Sequence, residues 1–131
     1  MLFRSSLAQI EQLLNDENFS PFQYVIMRDD VIIGIMTVAP SRDDDTDDIF
    51  YELHGIYLHP NHYRQGIGSQ AMEFAYDIAR ELGKKAMILW VFEDNISSVK
   101  FYEKCGFTAD GKTKILNCGK PLTAIRMRRD L

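Results

Sequence analysis

Apolar positions in this chain change period as they are read from the N-terminus. Leu7, Ile10, Leu13 and Leu14 recur at helical spacing and Ser5 or Ser6 can cap their start, which predicts a helix over Ser5 to Asn15. The polar stretch Asn15 to Pro21 breaks it. Gln23 to Met27 and Val31 to Ala39 are rich in β-branched and apolar residues, and Arg28-Asp29-Asp30 makes a tight turn between them. These are the two strands of an antiparallel hairpin. Pro40 ends the second strand, Ser41 to Asp48 reads as an acidic loop, and Ile49 to Leu58 is a third strand closed by Pro60.

From Gly66 onward the period becomes helical. Ile67, Ala71, Phe74, Ala75, Ile78 and Leu82 form one apolar face, and Gly83 stands where a left-handed cap belongs. Ala86 to Phe92 is a near-continuous apolar run, as expected of a strand covered on both faces. A strand, helix and strand of these lengths make a right-handed crossover, so the strands ending at Leu58 and Phe92 are expected to lie parallel. Asn95 to Lys104 is a second helix, with Ile96, Val99 and Tyr102 at helical spacing and Gly106 just past its end. Lys112 to Leu116 and Leu122 to Met127 form a last hairpin across Asn117-Cys118-Gly119-Lys120, where Arg126, Arg128 and Arg129 would protect an edge strand from aggregation. The pattern predicts an α/β architecture around a mixed sheet.

Composition narrows the class. The 131 residues fit one domain, residues 1–131, and 46% hydrophobic with 26% charged residues is the balance of a soluble globular protein. A net charge of −4 argues against general nucleic-acid binding. Cys105 and Cys118 stand in no metal-ligand or redox spacing, and no apolar run approaches a membrane span. A cytoplasmic protein with no membrane partner is the expectation.

The candidate chemistry begins at Arg64-Gln65-Gly66-Ile67-Gly68-Ser69, a glycine-containing turn opening a helix. The first backbone N–H groups of a helix have no partner within it, and the dipole there is positive, so a pyrophosphate can be held. Arg64 and Gln65 add donors at the lip. A P-loop would need Lys-Ser where Ser69-Gln70 stands. A dinucleotide fingerprint would need its first glycine directly after a strand, and here His59 to Gln65 intervene.

With its second motif the chain resembles the GNAT superfamily of acyl-CoA-dependent N-acyltransferases. Tyr63-Arg64-Gln65-Gly66-Ile67-Gly68 matches the Q/R-x-x-G-x-G/A motif at both glycines, with Tyr63 in place of Gln or Arg. Asn95-x-x-Ser98-x-x-Phe101-Tyr102-x-x-x-Gly106-Phe107 matches the other signature, usually N-x-x-A-x-x-F-Y-x-x-x-G-F. The resemblance implies a mixed, mostly antiparallel central sheet with helices on both faces and a shortened N-terminus. It also implies acetyl-CoA as co-substrate, no metal, and an amine acceptor, either a small molecule or a protein. Ile56, Tyr57 and Leu58 would line a gap taking the pantetheine arm, with a strand-end N–H polarising the thioester carbonyl. The amides of Arg64, Gln65, Gly66, Ile67, Gly68 and Ser69 would hold the pyrophosphate, and Asn95 would bond the pantetheine.

Acyl transfer to an amine poses two proton problems: an alkyl ammonium, with a pKa of about 10, must lose a proton, and the CoA thiolate must regain one. Tyr102 matches the family tyrosine that serves the thiolate; its other reading is a core aromatic. Glu52 stands on the strand where many members carry a basic glutamate, acting directly or through water; its other reading is a solvated or paired strand carboxylate. The alternative family position for the base is occupied by Trp90. His54 shares strand parity with Glu52 and would join a water relay unless a β-bulge changes that parity. Asp43 to Asp48 is a solvated loop or an entrance for cationic amines. An uncovered early sheet edge leads to the expectation of a homodimer. The rivals to an enzyme are a non-catalytic acyl-CoA-binding sensor or partner subunit, and a structural domain with no ligand.

Overall fold

A computed structural model describes residues 2–4, 9–12 and 22–131. Eight strands form one sheet: β1 (Leu2–Arg4), β2 (Gln9–Gln12), β3 (Gln23–Arg28), β4 (Val31–Pro40), β5 (Phe50–Leu58), β6 (Ala86–Phe92), β7 (Thr108–Asn117) and β8 (Pro121–Asp130). Their order is β1-β2-β3-β4-β5-β6-β8-β7. Every neighbouring pair is antiparallel except β5 and β6, which the crossover helix α1 (Ile67–Glu81) makes parallel. Helix α2 (Ile96–Lys104) joins β6 to β7.

The expectation of an N-terminal helix fails where it can be examined. Gln9–Gln12, inside the expected helix, is a strand paired with Tyr24 to Met27 of β3. Ile10 is fully buried opposite Ile26, so the free edge of β3 and the burial of one side chain outweigh a helical period resting on four residues. Leu7, Leu13, Leu14 and the caps Ser5 and Ser6 lie outside the described residues.

The β3–β4 turn works as its chemistry suggests. Asp29 and Asp30 both take positive φ, 52° and 64°, the pattern that matches the twist of a two-residue hairpin. Both helices end in the same left-handed cap. After α1, Gly83 has φ 77°, its N–H reaches Arg80 O, and Lys84 N–H reaches Ala79 O. After α2, Gly106 has φ 91°, its N–H reaches Glu103 O, and Phe107 N–H reaches Tyr102 O.

Register divides the sheet into two faces. Tyr24 pairs with Met36, Val38 with Leu53, Leu53 with Leu89 and Leu89 with Met127, giving one apolar belt across five adjacent strands from β3 to β8. Helix α1 covers this belt with Ile67, Ala71, Phe74, Ala75 and Ile78, while Leu82 lies past the helix end and is exposed. Helix α2 leans on the same core through Val99, Phe101 and Tyr102, leaving Ile96 exposed. The described helices therefore share one face and touch each other, with Tyr76 Oη donating to Cys105 O at 3.3 Å. The opposite face carries Glu52, Ile88, Trp90 and Arg126, and among the described residues the acidic loop folds over it rather than a helix. Strand β8 is internal, between β6 and β7, so its arginines do not guard an edge.

Candidate functional site

Strand β5 pairs with β6 only from Phe50 to Leu53, against Ala86 to Leu89. Beyond that point β5 stays with β4 as far as Leu58, and β6 stays with β8 as far as Phe92. The two parallel strands thus part into a V. A β-bulge causes it: Leu53 pairs with Val38 and Gly55 with Thr37, leaving His54 as the extra residue that bends β5 away.

The gap is lined by backbone. His59 N–H donates to Ile33 O of β4 at 2.7 Å, and alternation along β5 then turns Tyr57 to β4 as well. The same alternation points the amides of Ile56 and Leu58 into the gap. Tyr57 therefore differs from its neighbours: its backbone belongs to β4 and its side chain is exposed.

Beyond β5, residues 59–66 lead into the start of α1. Gly66 is the N-cap residue with φ 78°, a left-handed conformation that a side chain would strain, and Arg64 also takes positive φ, 62°. No side chain caps the helix and no acidic residue occupies its first turn, so the amides of Ile67, Gly68 and Ser69 meet an electropositive opening. Gly68 has a second reason to be small: a Cβ there would lie 3.2 Å from the Phe101 ring of α2. The Gln65 side chain does not serve the lip. Its Oε1 accepts from Arg28 Nη1 at 2.6 Å and its Nε2 is directed at Asn61 O, tying the loop to the β3–β4 hairpin.

Asn95 is the N-cap of α2, and its Oδ1 accepts from Ser98 N–H and from Ser97 Oγ, both at 3.3 Å. Capping thus occupies the oxygen and leaves Nδ2 as the available donor. Tyr102 sits in the last turn of α2 with its ring edge-on to Phe101 (5.4 Å) and Phe107 (6.1 Å). The spacing of Tyr102, Gly106 and Phe107 follows from the cap: Gly106 turns the chain so that Phe107 bonds the Tyr102 carbonyl and packs on its ring. Burial pushes the Tyr102 phenol up to about 12, with the Cys105 thiol adding to the rise.

Glu52 lies at the apex of the V, paired with Ile88 of β6, and is only 5% exposed. Its Oε1 accepts from Arg42 N–H at 3.2 Å, and its Oε2 is 3.8 Å from His54 Nε2. His54 keeps company with Glu52 although it is the bulge residue. Burial lowers the His54 pKa; the Glu52 carboxylate opposes that shift and Arg42 adds to it. The acidic loop is not simply solvated. Arg126 gathers Asp43 (3.1 Å), Asp45 (2.7 Å) and Asp110 (2.6 Å), and Trp90 Nε1 donates to Asp43 at 2.9 Å. Nothing in the spacing of these residues announced that cluster, since its members are up to 83 positions apart.

The model of the Acetyltransferase (GNAT) family matches residues 3–107. The chain belongs to that family. An uncharacterized N-acetyltransferase of Lactobacillus delbrueckii subsp. lactis is 30% identical over 102 residues, covering 75% of this chain and 59% of its own. A peptidyl-lysine N-acetyltransferase of Salmonella typhimurium is 26% identical over 121 residues, 92% of this chain and 73% of its own. The chain spans 25% to 32% of the length of three further acyl- and acetyltransferases that it matches. Among solved structures, a Bacillus subtilis acetyltransferase in complex with CoA superposes with a TM-score of 0.67 at 19% identity, covering 83% of this chain and 76% of its own, a likeness of fold. As a GNAT domain the chain keeps the parted strands and the glycine turn. Among the described residues no group of three His, Cys, Asp or Glu can hold a metal, and no helix is long and apolar enough to cross a membrane.

Proposed function

We propose that this domain transfers an acetyl group from acetyl-CoA to a primary amine. The V between β5 and β6 carries this reading, because unpaired strand backbone beside an uncapped helix N-terminus suits an amide-bearing arm ending in a diphosphate. CoA stands in the Bacillus subtilis relative of the same fold. In this reading the amides of residues 64–69 hold the diphosphate, Asn95 Nδ2 bonds the pantetheine arm, and Ile56 N–H polarises the thioester carbonyl. A preorganised donor of that kind contributes on the order of 3 kcal/mol to the transition state.

The two candidate side chains approach from opposite faces of the sheet. Glu52 lies on the face away from the helices, so the amine enters from that side and loses its proton toward that carboxylate. The nitrogen lone pair attacks the thioester carbon, the tetrahedral intermediate collapses, and the C–S bond breaks with the thiolate leaving on the α2 side. Tyr102, a phenol protonated at neutral pH whose pKa burial raises further, supplies an O–H to that sulfur. Acceptors named for the family relatives include peptidyl lysine and L-amino acids. The acceptor class for this chain is a primary amine approaching across Tyr57 and Trp90.

Calorimetry with acetyl-CoA, followed by a CoA-release screen over amines, amino acids and peptides, tests the reading. Saturable binding and release with one acceptor class are expected; no binding would overturn it. Tyr102→Phe is expected to lower kcat about tenfold with CoA affinity unchanged within twofold. Unchanged turnover would leave the phenol a packing residue only.

A further inference from the structure

The turn that opens α1 has little backbone bonding of its own. From His59 to Tyr63 the chain is tied by main-chain bonds: His59 N–H donates to Ile33 O at 2.7 Å, His62 N–H to His59 O at 2.9 Å and Tyr63 N–H to Pro60 O at 3.1 Å. Helix α1 takes over where Gln70 N–H donates to Gly66 O at 3.1 Å. Between these two, the N–H groups of Arg64, Gln65 and Gly66 have no backbone partner among the described residues. Arg64 and Gly66, on either side of Gln65, both take left-handed φ, 62° and 78°. For a residue with a side chain, such as Arg64, that conformation is unfavourable and persists only where the surroundings fix it.

The fixing contact comes from the side chain between them. Gln65 Oε1 accepts from Arg28 Nη1 at 2.6 Å, and Gln65 Nε2 is directed at Asn61 O at 3.5 Å. One amide group thus spans the unbonded stretch, joining it to the 3-10 turn Pro60–His62 and to the last residue of β3. The donor is a guanidinium, and a hydrogen bond with an ionised partner is stronger than a neutral one. Arg28 and Ile33 belong to the same hairpin, so β3 and β4 grip the loop at both ends, Ile33 at its beginning and Arg28 just before Gly66. The amides of Ile67, Gly68 and Ser69 follow directly on that second grip.

We propose that Arg28 is a positioning residue for the cofactor: acting through Gln65, it holds residues 64–66 in the shape that receives the diphosphate, before any cofactor arrives. This rests on the acetyltransferase reading. Preorganisation of this kind lowers the ordering cost of binding and leaves the chemical step alone. It therefore shows in the affinity for acetyl-CoA and not in kcat.

Calorimetry and steady-state kinetics on wild type, Arg28→Ala, Gln65→Ala and the double variant test it. Arg28→Ala is expected to weaken acetyl-CoA binding and raise its KM about fivefold, while kcat at saturation stays within about twofold. Gln65→Ala is expected to lose a similar factor, and the double variant no more than either single one, because the two side chains form one contact. The free proteins should melt within about 2 °C of one another, since the tie is exposed. An unchanged affinity in Arg28→Ala, or a loss that falls on kcat, would overturn the proposal. So would an effect of Arg28→Ala that persists undiminished in the Gln65→Ala background, which would mean that the guanidinium meets a phosphate itself. Wild type that binds no acetyl-CoA would instead sink the acetyltransferase reading. Nitrogen-15 order parameters of residues 64–66 in the free protein, expected to fall in Arg28→Ala, would then still decide whether the tie holds the turn.

Discussion

Glu52→Gln is expected to lower kcat about 100-fold at neutral pH while acetyl-CoA binds as before. General base catalysis contributes roughly 10²- to 10⁴-fold, and the amide cannot take a proton at any working pH. The substitution preserves shape, and the Gln carbonyl can still accept from Arg42 N–H, so the loop keeps its anchor. Steady-state kinetics from pH 6 to 9 with parallel acetyl-CoA titration distinguish the outcomes. A pH–rate profile superimposable on wild type would assign the proton to solvent or to the acceptor itself.

Arg126→Met is expected to destabilise the domain by about 3 kcal/mol, lowering Tm by roughly 10 °C. The Arg126 side chain is 9% exposed and forks onto three carboxylates, bidentate to Asp45. Methionine fills part of the volume but leaves Asp43 and Asp110, 19% and 18% exposed, as partly desolvated carboxylates without their cation, keeping only the Trp90 and Lys112 N–H donors. Asp45 is the most solvated partner; its carboxyl is held below the usual range chiefly by the hydrogen bond from Arg126. A folded pKa below the unfolded one stabilises above about 3.9 and is lost as pH falls through the folded value. The wild type therefore loses this component below about pH 4, and Arg126→Met lacks it throughout. Thermal melts at pH 7 and pH 3.5 give both numbers; a Tm within 2 °C of wild type at pH 7 would remove the cluster as a structural tie. Loosening the loop also releases the Arg42 amide from Glu52, so kcat should fall along with stability.

Local features of this domain were legible because local physics sets them. The Asp29-Asp30 turn, the α1 face and the left-handed caps at Gly83 and Gly106 each depend on residues within a few positions of one another. The parallel pairing of β5 with β6 followed from the length of the crossover. Gln9–Gln12 is a strand rather than the expected helix because a short apolar period carries less free energy than an open strand edge can supply, and that edge is made by another segment, β3. The tie of Gln65 to the hairpin is invisible in the sequence because its partner, Arg28, is 37 residues away.

Spacing along the chain was enough to set helices α1 and α2, the β3–β4 and β7–β8 hairpins, the crossover and the two motifs that mark a GNAT domain. Only the tertiary structure decided where β5 departs from β6, which amides face that gap, and that His54 stands 3.8 Å from Glu52. It also decided that Arg126 ties the acidic loop to the sheet. The physical reason is common to these: a strand departure and an ion cluster are fixed by sheet register and packing between segments far apart, which no local period encodes.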